Sequence, residues 1–506
     1  MTSLWLDGRD ELPRGVPLAA GLRYDVLVVG AGLTGLTTAV LLCRAGYRVG
    51  ILEAWTVGAV ATGNTTAKIS LLQGRTLSGI RRQHGGDGVA AYLAANLAGQ
   101  AWLLDFLAAR NVPYQVRTAI SYSAGPGGLR VLEDELAAAT AAGLPAAWCD
   151  DPGLPFAVEG GIQLPGQAQF DPVAGLAALL DEFLLLGGAL HTGVRLRSVA
   201  AGDPCRADTS AGEVVADRVV LATGAPVLDR GAHFARLRPQ RSYALAFRVP
   251  GTIPSGMYLA VDSPTRSLRT VPVADDELLL VGGNGHPVGR SESPRRQVDD
   301  LHRWASGHFP GAVLTHSWSA QDYEPAGGHP LVGTLPGSRE RVHLATGYNK
   351  WGMTNGVAAG LRLAGEITGE PPEWAEALDE VRPAAAGLVR GLRFSAEVVA
   401  EIGTGYWRGL RNLPERAPGE GEGVIGRLGI RPAARSTVGD RTRTVSAICT
   451  HLGGILTWND AECSWDCPLH GSRFDPDGKV LEGPATADLA RLDRPSAQRR
   501  DAHPPS

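Results

Sequence analysis

At 506 residues the chain is long enough for about three domains on a rough prior of ~150 residues each, and it can bury large cores. Hydrophobic residues make up 44% and charged residues 20%, as in ordinary globular proteins, and a formal net charge of -4 offers no field for a polyanion. Nucleic acid is therefore not expected as a partner. Residues 1–22 carry Asp7, Asp10 and Glu11 where a signal peptide needs a basic start and an apolar core. No apolar run reaches the ~18 residues that cross a bilayer, and even 176–190 is interrupted by Asp181 and Glu182. The expectation is a cytoplasmic protein without a membrane span.

The stretch from 26 to 53 is the strongest local signal. An apolar β-branched run opens into Gly30-Ala31-Gly32-Leu33-Thr34-Gly35, a helical segment follows, and a second strand ends on Glu53, 18 residues beyond Gly35. Strand, G-x-G-x-x-G, helix, strand and acid together predict a dinucleotide-binding βαβ unit. Gly30 permits the tight turn, Gly32 lets backbone approach a pyrophosphate, Gly35 lets helix and strand pack closely, and Glu53 can accept from a ribose hydroxyl. The same acid would repel a ribose 2′-phosphate.

Further along, the polar loop from Ala61 to Lys68 offers Thr62, Thr65, Thr66 and Lys68 to a cofactor, or forms a solvated turn. Residues 87–110 and 129–143 have helical spacing. Asp171 and Pro172 suit the N-cap and first position of a helix over about 173–187. Strands are expected near 190–199 and 213–222, the latter running into Thr223-Gly224 beside the cofactor. Between 238 and 320 four alternating segments predict an antiparallel sheet, from which Arg241, Tyr243, Tyr258 and Arg269 project toward substrate or serve only as sheet residues. A strand over 341–346 then leads through Gly347, Lys350, Gly352, Met353 and Thr354 into a helix ending near Gly369, whose N-terminus would face something electron-rich. Proline, glycine and glutamate crowd 370–422, a linker composition, and a domain boundary is expected at 403–415.

The last hundred residues contain Cys449-Thr450-His451 and, after 15 intervening residues, Cys467-Pro468-Leu469-His470. Two thiolates and two imidazoles on paired loops suit a [2Fe–2S] centre in which two Cys hold one iron and two His the other. A Cys2His2 zinc site uses the same ligands.

Residues 445–484 resemble a Rieske domain. The preceding four fifths resemble the FAD-dependent oxidoreductases of the D-amino acid oxidase, glycine oxidase and sarcosine oxidase superfamily, on the GAGLTG start with Glu53, Phe170-Asp171-Pro172, Ala222-Thr223-Gly224, His329-Pro330-Leu331-Val332-Gly333 and Ala345-Thr346-Gly347. The resemblance implies an α/β Rossmann-like FAD domain (about 24–85, 170–235 and 325–370) with an inserted α+β substrate domain (about 86–169 and 236–324), then an all-β Rieske domain over 411–506. It implies FAD bound by Gly30, Gly32, Gly35, Glu53, Thr62, Thr65, Thr66, Lys68, Thr223, Gly224, Gly347, Gly352, Met353 and Thr354. Cys449, His451, Cys467 and His470 would bind a [2Fe–2S] cluster.

Two departures stand out. The extra cysteines that form a disulfide in respiratory Rieske domains correspond to Gly454 and Leu469. Phe474 stands where many high-potential centres have a tyrosine, while Ser472 is retained, so a lower-potential cluster is expected.

The activity implied is oxidation of a C–N bond in an amine or amino-acid-like small molecule, with electrons relayed between FAD and the cluster and an external one-electron acceptor or donor. Gln321, Asp322 and Lys350 are the candidate catalytic residues. The alternatives are an NAD(P)H-linked or partner-linked electron-transfer flavoprotein, or a non-catalytic redox sensor. Against the first, Gly282-Gly283-Asn284-Gly285 lacks the spacing of a second dinucleotide site. Cys463 has no assignable role and is expected as a free thiol.

Overall fold

Arg23–Val29 (β1) ends in four consecutive buried residues, as a central parallel strand covered on both faces requires. In the computed structural model, which describes the chain except residues 9–11, 14, 20, 229–232, 274–275, 381–388, 399–400, 402, 404–411 and 493–506, β1 leads through Leu33–Arg44 (α1) to Val49–Glu53 (β2). The two strands pair in parallel with Val26 opposite Val49. The chain forms two units, Met1–Glu397 and Val398–Ser506. The boundary expected at 411 lies outside the described residues.

In the first unit β2 is followed by Lys68–Ile69 (β3), Thr76–Ala109 (α2), Tyr114–Ser123 (β4), Leu129–Ala141 (α3), Ala147–Cys149 (β5) and Gly160–Phe170 (β6). Then come Pro172–Leu185 (α4), Ala189–Thr192 (β7), Leu196–Ala200 (β8), Cys205–Thr209 (β9) and Gly212–Leu221 (β10). Leu237–Arg248 (β11), Met257–Ala260 (β12), Arg266–Val273 (β13), Asp276–Pro287 (β14), Pro294–His308 (α5) and Val313–Pro325 (β15) follow. Leu331–Thr334 (β16), Val342–Thr346 (β17), Gly352–Thr368 (α6) and Glu373–Glu380 (α7) complete the unit.

One sheet runs β16-β17-β10-β1-β2-β7, parallel from β17 to β7, with β9 and β8 added at β10. Val28, Leu36, Leu179 and Val357 pack on one face, and Leu27, Val219 and Leu344 on the other. The chain leaves β1 toward β2 on one side and later returns as β10 on the other. That reversal places a crevice at the carboxyl ends of β1 and β10, where α/β sheets bind ligands. The second sheet runs β15-β11-β14-β13-β12-β4-β6-β3, antiparallel except where β12 meets β4. It is wider than the four expected strands because β3, β4 and β6, distant in sequence, join it.

Asp171 Oδ1 accepts from the Val173 and Ala174 N–H groups at 3.0 and 3.2 Å, with Pro172 in the first turn, as expected. Helix α2 begins at Thr76 rather than 87. It turns out of helical geometry at Gly85, and neighbouring glycines mask its first turns in the sequence. The strand expected over 190–199 is two strands, parted at Gly193 with φ of +71°. Gly282–Gly285 lies inside β14.

From Gly423 onward the described elements of the second unit are all β-strands. Gly423–Leu428 (β18), Arg431–Val438 (β19) and Arg441–Ser446 (β20) form an antiparallel meander, and Thr457–Asn459 (β21), Ser464–Asp466 (β22), Arg473–Phe474 (β23) and Val480–Glu482 (β24) form a second sheet. Ala434, Val445, Leu456, Trp465, Phe474 and Leu489 make its core. Among the described residues of the whole chain, no helix is long and apolar enough to cross a membrane.

Candidate functional site

At the end of β1, Gly30 has φ of +106°, and a Cβ there would lie 2.5 Å from the Ala222 carbonyl oxygen. A Cβ on Gly35 would lie 1.9 Å from the Gly30 carbonyl oxygen. Only glycine fits either place, so strand, turn and helix close together. A Cβ on Gly32 would meet only Thr62 Oγ1, at 3.2 Å, which leaves that side of the turn open. Thr62 Oγ1 accepts from the Leu33 N–H at 3.2 Å, at the start of α1.

Glu53 Oε2 accepts from the Ala31 N–H at 2.9 Å, and Oε1 from the Trp55 N–H at 2.8 Å. Burial raises the Glu53 pKa against these bonds, yet the side chain keeps accessible surface, so it sits in a cleft. Each carboxylate oxygen retains acceptor capacity for a ribose hydroxyl. The open glycine turn, the helix start and the acidic strand end fit the nucleotide portion of FAD.

The ends of β10 and β17 are tied to each other. Thr346 Oγ1 donates to the Gly224 carbonyl, Thr223 Oγ1 donates to Ala225 O at 2.5 Å, and Gly224 and Gly347 have φ of +75° and +80°. Tyr348 Oη and Thr34 Oγ1, 2.9 Å apart, link the following loop to α1. Gly352 opens α6 with no side-chain cap, and Met353 and Thr354 are buried in its first turn. Thr354 Oγ1 donates to Asn96 Oδ1 at 2.6 Å, Tyr92 Oη donates to Gln73 Oε1 at 2.6 Å, and Asn355 Nδ2 donates to Tyr92 Oη at 3.0 Å. The sequence reading missed this buried network. Its signal was Tyr92 and Asn96, spaced four apart on one face of an alanine-rich helix.

The three candidate catalytic residues gather where β11 pairs with β15. Buried Gln321 accepts from Arg241 Nη2 at 3.1 Å and donates to Tyr323 Oη at 2.8 Å. Asp322 Oδ2 accepts from the backbone N–H of Lys350, itself at φ of +71°. Burial lifts Asp322 to about 7 and pushes Lys350 down, although each favours the other's charge. Both keep accessible surface within surrounding protein and so line a cleft. The Lys350 amine lies beside Gly285, whose Cβ would come within 2.6 Å of Nζ and 3.0 Å of Ser242 Oγ.

The remaining loop residues take other places. Lys68 Nζ donates to Tyr258 O at 2.8 Å and Ser267 Oγ at 3.1 Å, and burial with nearby Arg269 lowers it to about 7. Its amine therefore belongs to the second sheet. Thr65 Oγ1 accepts from the Ala67 N–H at 3.1 Å, and the Thr66 carbonyl accepts from Arg269. Arg241 and Arg269 are both fully buried, and Tyr243 Oη lies 3.0 Å from His286 Nε2.

In the second unit the two ligand loops are closed alike. Cys449 N–H donates to Gly454 O at 2.8 Å and Gly453 N–H to Cys449 O at 3.1 Å; Cys467 N–H donates to Ser472 O at 2.8 Å and Gly471 N–H to Cys467 O at 3.1 Å. Gly453 and Gly471 take φ of +74° and +80°, the left-handed turn each closure needs. The buried Cys449 and Cys467 are free thiols close enough to hydrogen-bond, which pulls Cys449 down to about 7 and drives Cys467 up. The His451 and His470 rings stand 5.2 Å apart and perpendicular.

Thiols paired with thiols and imidazoles with imidazoles match the split donor set of a Rieske cluster. Leu469 Cδ1 lies 2.6 Å from where a Gly454 Cβ would be, so an apolar contact occupies the place the resemblance assigned to a disulfide. The Ser472 hydroxyl favours the Cys449 thiolate, and Phe474 is fully buried. Cys463 is half-buried at φ of +52° and takes part in no disulfide among the described residues.

Behind the second loop lies a feature absent from the sequence reading. Buried Arg473 pairs through Nε with Asp466 at 3.1 Å, through Nη2 with Glu462 at 3.0 Å and through Nη1 with Glu482 at 3.0 Å. It ties β22, β23 and β24 together at the base of the loop.

The "FAD dependent oxidoreductase" (DAO) family profile matches residues 25–366, and that of the Rieske [2Fe-2S] domain matches residues 430–493. The putative Rieske 2Fe-2S iron-sulfur protein YhfW of Bacillus subtilis (strain 168) is 28% identical over 499 residues, 96% of each chain. The cytochrome b6-f complex iron-sulfur subunit of Nostoc punctiforme is 54% identical over 46 residues, 9% of this chain and 26% of that one. Among solved structures, glycine oxidase from Geobacillus kaustophilus superposes with a TM-score of 0.59 at 20% identity, over 70% of this chain and 96% of that one. L-proline dehydrogenase from P. horikoshii gives 0.59 at 14% identity, over 74% and 99%. With a fold shared with these flavoenzymes and two matched domains, the chain belongs to the FAD dependent oxidoreductase (DAO) family and is an oxidoreductase that carries FAD and a C-terminal Rieske [2Fe–2S] domain.

Proposed function

We propose that the protein oxidises a C–N bond of an amine or amino-acid-like small molecule and delivers the electrons through its Rieske centre to an external one-electron acceptor. Bound FAD would supply the hydride acceptor, and the cluster would carry electrons singly. The observation that carries this reading is the cleft pair Asp322–Lys350. Hydride leaves the carbon beside nitrogen only when the amine is uncharged, and a carboxylate with a pKa near 7 can take the ammonium proton at neutral pH. Asp322 Oδ2 is held by the Lys350 N–H, which leaves Oδ1 for that proton. Loss of the ammonium proton to Asp322 and of a hydride to bound FAD would together leave the substrate as an iminium ion.

The Lys350 amine beside Gly285 and Ser242 presents a positive charge suited to a carboxylate on the same substrate. Gln321, fixed between Arg241 and Tyr323, holds the wall rigid. The uncapped start of α6 favours negative charge in front of it. The names of the two structural neighbours, a glycine oxidase and an L-proline dehydrogenase, support an amino-acid-like substrate.

The test is anaerobic mixing of the holoprotein with a panel of amino acids, amines and NADH, followed by turnover with an artificial one-electron acceptor. Flavin bleaching by a member of the amine panel is expected, as is acceptor turnover that collapses in Cys449→Ser. Bleaching by NADH and by no amine would overturn the substrate assignment. Unchanged turnover after confirmed cluster loss would overturn the relay.

A further inference from the structure

Five consecutive carbonyls beside the nucleotide cradle, from Gly63 to Ala67, each accept a hydrogen bond from a side chain remote in sequence. Ser3 Oγ donates to Gly63 O at 2.7 Å, Trp318 Nε1 to Asn64 O at 2.8 Å and Trp5 Nε1 to Thr65 O at 2.7 Å. Arg269 Nη1 donates to Thr66 O at 2.5 Å and to Ala67 O at 3.0 Å. All four donor residues are almost wholly buried.

The donors also brace one another. The Arg269 guanidinium lies 5.4 Å over the Trp5 ring, and Leu6 sits against Gly63, where a Cβ would come within 3.1 Å of it. Residues 2–7, which supply Ser3 and Trp5, form a strap that is itself a turn, with the Leu6 and Asp7 N–H groups both donating to Ser3 O at 3.0 Å and Thr2 bridging to Ser317 at its start. The same loop begins at Thr62, whose hydroxyl accepts from the first N–H of α1. A loop with five successive peptide planes fixed from behind has lost its rotational freedom before any ligand arrives, so binding need not order it.

We propose that Ser3, Trp5, Trp318 and Arg269 are positioning residues of the flavin site, and that the strap over residues 2–7 belongs to that site by holding the Thr62–Ala67 loop in its FAD-binding form. The inference rests on FAD binding by this domain and is independent of which substrate is oxidised. Among the described residues Arg269 donates to the carbonyls of Thr66, Ala67, Phe170 and Thr270 and to no carboxylate, an arrangement that suits a bound pyrophosphate in front of the loop.

The experiment uses the full-length holoprotein and reads FAD release on serial dilution by flavin fluorescence, well below the unfolding temperature. Trp5→Phe keeps an aromatic ring under Arg269 and removes only the N–H donor. Ser3→Ala removes the hydroxyl, and Ser3→Thr restores it. Each lost donor is expected to weaken FAD binding about five- to tenfold, with Ser3→Thr returning to the parent value. The cluster's EPR signal should be unchanged in the same samples. An unaltered FAD dissociation constant in Trp5→Phe and Ser3→Ala would overturn the proposal even if the unfolding temperature fell, since a purely structural role moves only the latter. Should Trp5→Phe not fold, the Ser3→Ala and Ser3→Thr pair decides the matter.

Discussion

The four candidate cluster ligands lie between Cys449 and His470 on two loops closed by the same pair of backbone hydrogen bonds, whereas the candidate flavin cradle draws Gly30, Glu53, Thr62, Thr223, Gly347 and Thr354 from the length of the first unit. The first centre carries its own geometry. A six-residue loop with one left-handed glycine places a cysteine and a histidine, and the arrangement occurs twice. The second centre exists only after two sheets and three helices have met, and its polar parts are held by residues with no part in the motif. Failure of the flavin site should therefore come from many places, and failure of the cluster site from few.

The sharpest test of this contrast is a pair of reciprocal variants. Gly35→Ala puts a Cβ 1.9 Å from the Gly30 carbonyl oxygen, where only backbone can yield, and about 3 kcal/mol or more of local destabilisation should empty the flavin site. Cys449→Ser should abolish the cluster. Flavin and iron contents per chain measure both, and each variant is expected to keep the other cofactor. Loss of both cofactors in either variant would break the comparison.

The cluster unit has one long-range dependence of its own, and Arg473→Met exposes it. Removing the guanidinium leaves Glu462, Asp466 and Glu482 facing one another in a buried place, a loss of roughly 3–5 kcal/mol. The urea midpoint read from the cluster's visible circular dichroism should fall accordingly, with the flavin signal unmoved.

A smaller effect separates chemistry from architecture at the cleft. Asp322 titrates near 7, so the rate of flavin reduction by substrate should rise with pH through about 7, and Asp322→Asn should be slow and flat across that range in stopped flow. The sign for stability is the opposite. A carboxyl group whose folded pKa is raised contributes stability below its ordinary value near 3.8, and that contribution is lost as pH rises through about 7. Asp322→Asn should accordingly lose less stability than the parent between those values, as denaturant midpoints would show.

The mildest change is Asp171→Ala, which removes the cap of α4 and should cost about 1 kcal/mol in chemical denaturation without altering either cofactor.

Legibility in the sequence followed the same division. Gly35 and Glu53 were readable because each is fixed by a contact within one βαβ unit, Gly30 by its place in the glycine spacing although the contact that forces it is with Ala222 at the end of β10, and Asp171-Pro172 because a cap and a first-turn proline act on the nearest N–H groups. Lys68 was readable as a functional type but not in its placement. Its amine reaches Tyr258 and Ser267, and no local pattern announces that β3 will join the second sheet. Gln321, Asp322 and Lys350 were suggested by neighbouring motifs, while their meeting depends on the pairing of β11 with β15 and on a left-handed turn at Lys350.

By itself the sequence determined the two domains, their cofactors and their order along the chain, because each motif rests on spacings within a few turns of backbone. Tertiary structure alone decided that Ser3 and Trp5 brace a loop some sixty residues away, that Arg473 would collect three carboxylates, and that Asp322 would be lifted toward neutrality. Hydrogen bonds between distant residues and the desolvation of a charge belong to the packed molecule, and a linear pattern contains neither.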